Sequence, residues 1–393
     1  GSALASTGVA TIDGDGAAWS NSGVLNVGGY GDGSLVVTNG GVVSTVDLVV
    51  GYEAGSSGAI SLSAVGSELA VTGAGVIGRS GAGSMTLADG AAFSVGGDLL
   101  LGELAGSEGG MLLSGAQTVG DVSGDLFVGL DGEATLAITE GASLSNAGAY
   151  IGAGAGLTSA VSVSGAGSSW GSDGILYVGT TGTGMLKIAD GAVVTSAGGI
   201  ITSGVNATGI VTIDGEGSAW NSDGNVHVGT NNVGSLTVSN GGLLSTKDGT
   251  GDVFVATSVV SEGVLNIGAA VGDNAAAAGS VEAASVTLGA GDATLVFNHT
   301  NSGYDFGVNI AGNGAVEIYS GETIYSGEAT HTGSTTIFGG SLLVNGSINS
   351  PVTVNDGGTL GGSGMLDSVA LQTGGVLAPG ESIGGLNVGD LSF

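Results

Sequence analysis

Leu35-Val36-Val37-Thr38, Met85-Thr86-Leu87-Ala88 and Leu186-Lys187-Ile188-Ala189 share one pattern: the first and third residues are large and apolar, while the second varies among Val, Thr and Lys. A period of two describes a strand with one face on a core and the other in water, and Lys187 falls on the wet face. Strands of roughly four to six residues, separated by Gly, Asn, Asp and Ser turn signals and with almost no long helical pattern, make this an all-β chain.

The phrase recurs as Leu35-x-Val37, Met85-x-Leu87, Leu136-x-Ile138, Leu186-x-Ile188 and Leu236-x-Val238, in steps of 50, 51, 50 and 50 residues. Each is followed by a glycine, at Gly40, Gly90, Gly141, Gly191 and Gly241. Trp19, Trp170 and Trp220 close the matching phrases DGDGAAW, SGAGSSW and DGEGSAW. Within each unit, an apolar pair ending in Gly at Gly28, Gly51, Gly78, Gly102, Gly129, Gly152 and Gly179 alternates spacings of 23 or 24 with 27. One unit is therefore two turns, each with room for three short strands and three bends. That spacing predicts a right-handed parallel β-helix, a solenoid of roughly 15 rungs. Residues 1–268 read as about five two-rung repeats of this kind and residues 269–393 as a further set of C-terminal rungs. The pattern loosens at Thr202 and carries Ala256 where a Gly is expected.

A narrow solenoid interior suits Val, Ala, Leu and Ile stacked in ladders, and the 85 glycines suit bends that need φ > 0 or close approach of neighbouring coils. The recurrent Trp is expected to cover a groove at a bend. The outward positions are expected to vary without forming a charged or aromatic stripe.

Composition removes several functions. Three cations (Arg79, Lys187, Lys247) against 34 acidic residues leave a formal charge of −31, so nucleic acid and anionic lipid would be repelled. A hydrophobic content of 42% argues against disorder. No window reaches the ~18 apolar residues of a spanning helix, so this segment is not expected to insert into a membrane. With no Cys there is neither a disulfide framework nor a thiolate nucleophile or metal site. Gly1-Ser2 reads as a cloning remnant, with no signal peptide following, and the chain as an excised segment.

From about residue 290 a different phrase begins. THTGSTTIFGGSLLVNGSI (Thr330 to Ile348), SPVTVNDGGTLGGSGML (Ser350 to Leu366) and VLAPGESIGGLNVGDLSF (Val376 to Phe393) resemble the C-terminal passenger region of bacterial type V autotransporters. The passenger-associated repeat of that family reads Thr-Tyr-Thr-Gly-x-Thr followed by Gly-x-Leu-x-Val-x-Gly, and His331 stands here in place of the Tyr. The strongest single match is Leu377-Ala378-Pro379-Gly380-x-Ser382-Ile383-Gly384. The upstream repeats also resemble large autotransporter passengers. The resemblance implies a secreted rod carried to the bacterial surface by its own outer-membrane β-barrel, which would follow Phe393. It also implies that the last rungs act as a folding nucleus. The absence of Cys fits a chain that crosses the outer membrane unfolded.

Catalytic and metal motifs fare poorly. Gly73-Ala74-Gly75-Val76-Ile77-Gly78 fits G-x-G-x-x-G, but no helix follows to bind phosphate. Asp13-Gly14-Asp15-Gly16 lacks further oxygen ligands at Ala17 and Ala18, and Gly28-Gly29-Tyr30-Gly31-Asp32 does not recur as a calcium repeat. The acidic surface is expected to hold divalent cations only weakly and diffusely. The sequons at Asn206, Asn298 and Asn345 are what such a composition yields by chance. No G-x-S-x-G elbow or Gly-Asp-Ser-Gly phrase is present, and His227, His299 and His331 are expected in surface or groove-lining roles. A β-helix glycosidase would need facing carboxylates in a deep groove, and no pair can be nominated. No catalytic, cofactor-binding or metal residue is therefore assigned, and no enzyme activity is expected. The chain reads as a surface adhesin or self-associating fibre, with a host-cell or matrix receptor, protein or glycan, as partner. The alternative is a structural stalk for an N-terminal effector.

Overall fold

The computed structural model describes residues 6–380 and 385–393. These residues form a parallel β-solenoid of about 15 turns, and Lys247–Gly249 is a single 3-10 turn. Contacts divide the chain into two units, one of Gly1–Gly198 with Ser203–Ile210 and one of Gly199–Thr202 with Val211–Phe393.

In the first unit most turns lay down three strands, the second and third running together as Ser169–Val178 and Val193–Ile201 in the last two. Asp32–Thr38, Val42–Thr45 and Asp47–Val50 make one such turn, and Ser57–Ser63 returns to stack on the first of them. Leu35 lies in register on Ile60, and Ile60 on Met85, so the fifty-residue phrase is two turns. Because successive turns are in register, each inward position becomes a ladder. Leu35, Ile60, Met85, Met111 and Leu136 form one, every member buried. Each such aliphatic side chain contributes about 1.5–3 kcal/mol on burial. Lys187, at the alternate position of its strand, is exposed.

The glycine that ends the third strand is required by geometry. Gly78 has φ +77°, and a Cβ there would stand 2.1 Å from the Glu108 carbonyl oxygen of the next turn. In the second unit Thr202 and Ala256 take the same left-handed conformation at φ 68° and 48° without being glycine. The interruption of the glycine pattern at these two positions is thus a change of residue and not of backbone path.

The tryptophans do not cover a bend. Trp170 and Trp220 sit within the strands Ser169–Val178 and Ala219–Ser222, 1% and 0% exposed, in register with Leu144 and Leu244. Trp19 is half-buried in Ala18–Ser20. The Gly-rich bend ends just before each Trp, and strand alternation from there turns the ring inward. Trp170 donates its Nε1–H to Asn146 Oδ1 at 2.6 Å, a buried polar anchor one turn below. Trp220 has room because position 199 is glycine: a Cβ on Gly199 would come within 2.5 Å of the indole.

In the second unit the turns shorten toward the C-terminus. Ile318 pairs with Ile337 and Ile337 with Val354, separations of 19 and 17 residues. A five-stranded parallel sheet begins at Tyr304–Phe306 and continues through Glu322–Tyr325, Gly340–Val344, Gly358–Gly362 and Val376–Pro379. It coincides with the change of phrase. The core here is more aromatic, with Phe297 edge-on to Phe306 at 5.1 Å.

Candidate interaction surface

Contrary to the sequence expectation, the outward positions do form a stripe. The outward residue of each third strand points away from the core, and in the first unit, after the exposed Asn26, these residues stack in register as Val49, Val76, Leu100, Phe127, Tyr150 and Tyr177. All six are half-buried. The three rings form a continuous face-to-face stack: Phe127 to Tyr150 at 4.8 Å and 7°, Tyr150 to Tyr177 at 5.0 Å and 3°. Burial, then Asp125 and Tyr177, raise the Tyr150 phenol above its usual pKa, so the central ring of the stack carries no charge at physiological pH. In the second unit Ile200, His227 and Phe254 hold the equivalent position, with His227 stacked on Phe254 at 4.8 Å. Burial lowers the His227 pKa.

Two residues ahead of the stripe stand Asp47, the first residue of its strand, and Asp98 and Asp125, each in the bend immediately before its strand. Asp47 Oδ1 accepts the Ala74 amide at 3.0 Å and Asp98 Oδ1 accepts the Asp125 amide at 2.9 Å. One carboxylate oxygen thus ties adjacent turns together. Among the described residues no cation of the chain pairs with these three. Arg79 is engaged elsewhere, its guanidinium 4.5 Å above the Tyr52 ring and its Nε 3.4 Å from Glu103.

Asp13 accepts a hydrogen bond from Asn39 at 2.8 Å, a contact between two turns. Gly73–Gly78 is a bend leading into the strand Gly75–Ile77, with no helix. His227 lines the outer surface as expected. His299 and His331 do not: they are 0% and 1% exposed, His299 directly after the strand Asp292–Asn298 and His331 in the segment between the strands Glu328–Ala329 and Thr335–Ile337. His331 Nε2 lies 3.1 Å from Thr335 Oγ1, which lies 2.8 Å from Ser350 Oγ, so the three join successive turns inside the second unit. Burial pulls the His331 pKa down to about 4 and lowers that of His299. An open groove along the first strands brings Glu108 and Glu133 side by side in register. Among the described residues no three Asp, Glu or His side chains are grouped to hold a metal ion, and no helix is long and apolar enough to cross a membrane.

Missed in the sequence was the stripe itself, although its signal lies in the triplets before each glycine: Leu48-Val49-Val50, Leu99-Leu100-Leu101, Leu126-Phe127-Val128, Ala149-Tyr150-Ile151 and Leu176-Tyr177-Val178. A strand whose outer position is as apolar as its inner ones marks a face with something to cover it.

Fold and surface together define a parallel β-solenoid with an apolar, partly aromatic ladder on one outer face. No protein-family model matches the chain, and no curated protein does. Among solved structures the chain is similar to a TibC-catalyzed hyper-glycosylated TibA55-350 fragment, at 15% identity and a TM-score of 0.26, with 94% of this chain and 100% of that chain covered.

Proposed function

We propose that this chain is a segment of an autotransporter-type passenger, displayed at the bacterial surface, that works as a non-catalytic adhesive scaffold. The observation that carries the adhesive reading is the outward ladder from Val49 to Tyr177, an apolar contact surface repeated turn after turn on a chain of charge −31. Each rung adds a weak contact, and rungs held in register add those contacts without further ordering entropy. The passenger reading draws support from the C-terminal phrases. Thr335–Ile337, Gly340–Val344 and Ser347–Val354 are strands of the shortened turns. His331, at the position where the passenger phrase carries Tyr, is buried in the core, which suits a ring. The closing Leu377–Gly384 phrase lies partly outside the described residues.

The test is a screen of the isolated chain against glycan, matrix-protein and host-cell arrays at physiological salt, with and without calcium, beside a Tyr150→Ser variant. Binding that the variant loses supports the reading; a blank across all arrays leaves a stalk that presents a partner domain. Light scattering over a concentration series, with salt and calcium varied, reads self-association in the same samples.

A further inference from the structure

The chemistry of the stripe narrows what can lie on it. Six rungs at ~4.8 Å spacing give a track about 24 Å long from Val49 to Tyr177. In its aromatic part the ring faces are turned on one another, at interplanar angles of 7° and 3°. A ligand approaching from solvent therefore meets ring edges and aliphatic side chains. A saccharide that needs an open π-face finds those of Tyr150 covered on both sides, so the surface favours a partner that brings aliphatic side chains of its own.

The flanking charge is one-sided. Asp47, Asp98 and Asp125 border the track, each exposed or half-buried, and no cation of the chain neutralises them among the described residues. A partner carrying Lys or Arg beside its apolar surface would complete both the apolar contact and the charge pairing.

Spacing then chooses between extended and helical partners. Laid along the track, an extended strand offers one side chain to the surface every ~6.6–6.8 Å, well out of step with the rungs. An α-helix offers one apolar cluster per 5.4 Å turn, close to the rung spacing, and about 16 helical residues span the track. Resting on the adhesive reading above, we propose that the Val49–Tyr177 track docks a basic amphipathic α-helix, with apolar residues at i, i+3, i+4 and i+7 on the ladder and Lys or Arg facing the Asp row.

The probe is a fluorescein-labelled 16-residue Leu/Lys peptide with Leu in that pattern, titrated into the full chain at physiological salt and followed by anisotropy and circular dichroism. Two further peptides serve as controls: a scramble of identical composition and a Leu/Glu peptide of identical pattern. Expected are helix formation on binding and affinity for the scramble and Leu/Glu peptides at least about tenfold weaker. Asp125→Asn, which keeps the side-chain shape, and Tyr150→Ser should each weaken the Leu/Lys peptide several-fold, with the chain's own dichroism unchanged for Asp125→Asn. Equal binding of the scramble overturns the proposal, because only net charge would then be read; so does an affinity untouched by Asp125→Asn and Tyr150→Ser. An array ligand that is a glycan, lost in Tyr150→Ser and not displaced by the peptide, would keep the adhesive reading and overturn the helical partner. A blank array with retained peptide binding would do the reverse.

Discussion

Tyr150 lies flat against Tyr177, ring centroids 5.0 Å apart and planes 3° from parallel, with Phe127 on its other face at 4.8 Å. One side chain thus clamps three consecutive turns from outside the core. An aromatic pair of this kind contributes ~0.5–1.5 kcal/mol beyond its area. Tyr150→Ala is expected to cost the first unit about 1–3 kcal/mol, read as a lowered urea midpoint, whereas Tyr150→Phe should cost well under 1 kcal/mol. Equal effects of the two would show that the stack contributes nothing.

The bend after the third strand gives a pair of opposite predictions. Gly78→Ala places a methyl 2.1 Å from the Glu108 carbonyl oxygen at φ +77°, combining left-handed strain with a backbone clash. It is expected to destabilise by about 2–5 kcal/mol. Ala256 already sits at φ 48°, so Ala256→Gly removes strain of ~1–2 kcal/mol and returns part of it as unfolded-chain entropy. A net gain of up to ~1 kcal/mol should appear as a higher thermal midpoint for the second unit.

Trp170 has its indole N–H bound to Asn146 Oδ1, while Asn146 donates to the Gly148 carbonyl at 2.9 Å and to Ser172 Oγ at 3.1 Å. Asn146→Ala would strand a buried donor and open a small void. A loss of about 2–4 kcal/mol is expected. Asn146→Asp, which retains the acceptor but buries a charge, should be rescued in part at acid pH; stability curves at neutral and acid pH for both variants provide the check.

His331 is held neutral by burial, its pKa down to about 4 from the ordinary 6.5. Because the unfolded chain takes up a proton near pH 6.5 and the folded chain does not until about 4, the folded state loses stability as pH falls through this window. The slope is up to ~1.4 kcal/mol per pH unit, and the effect is constant above it. Falling charge repulsion among the carboxylates acts in the opposite direction, so the measurement is the difference between the native chain and His331→Gln. That difference should shrink from pH 6.5 to 4, and a flat one would exclude the effect.

Much of the fold was legible in Leu35-Val36-Val37 and its repeats. A two-residue alternation and a glycine fixed in phase state which side chains go inward and where the chain must turn, and these are local constraints. The placement of Trp19, Trp170 and Trp220 was misread because proximity to a Gly-rich bend weighed more than the alternation that begins one residue later. His299 and His331 were expected in surface or groove-lining roles, yet a buried imidazole is tolerated where a hydroxyl meets it, Thr323 from the next turn for His299 and Thr335 four residues along the chain for His331.

Local pattern and composition are enough to make the chain all-β, coiled with a turn of about half its fifty-residue period, and repelled by polyanions. That Val49, Val76, Leu100, Phe127, Tyr150 and Tyr177 are one surface emerges only once the turns are stacked. Those residues lie 23 to 27 positions apart along the chain, each unremarkable within its own strand, and they meet because stacking turns in register converts a chain separation of a whole coil into a single rung spacing.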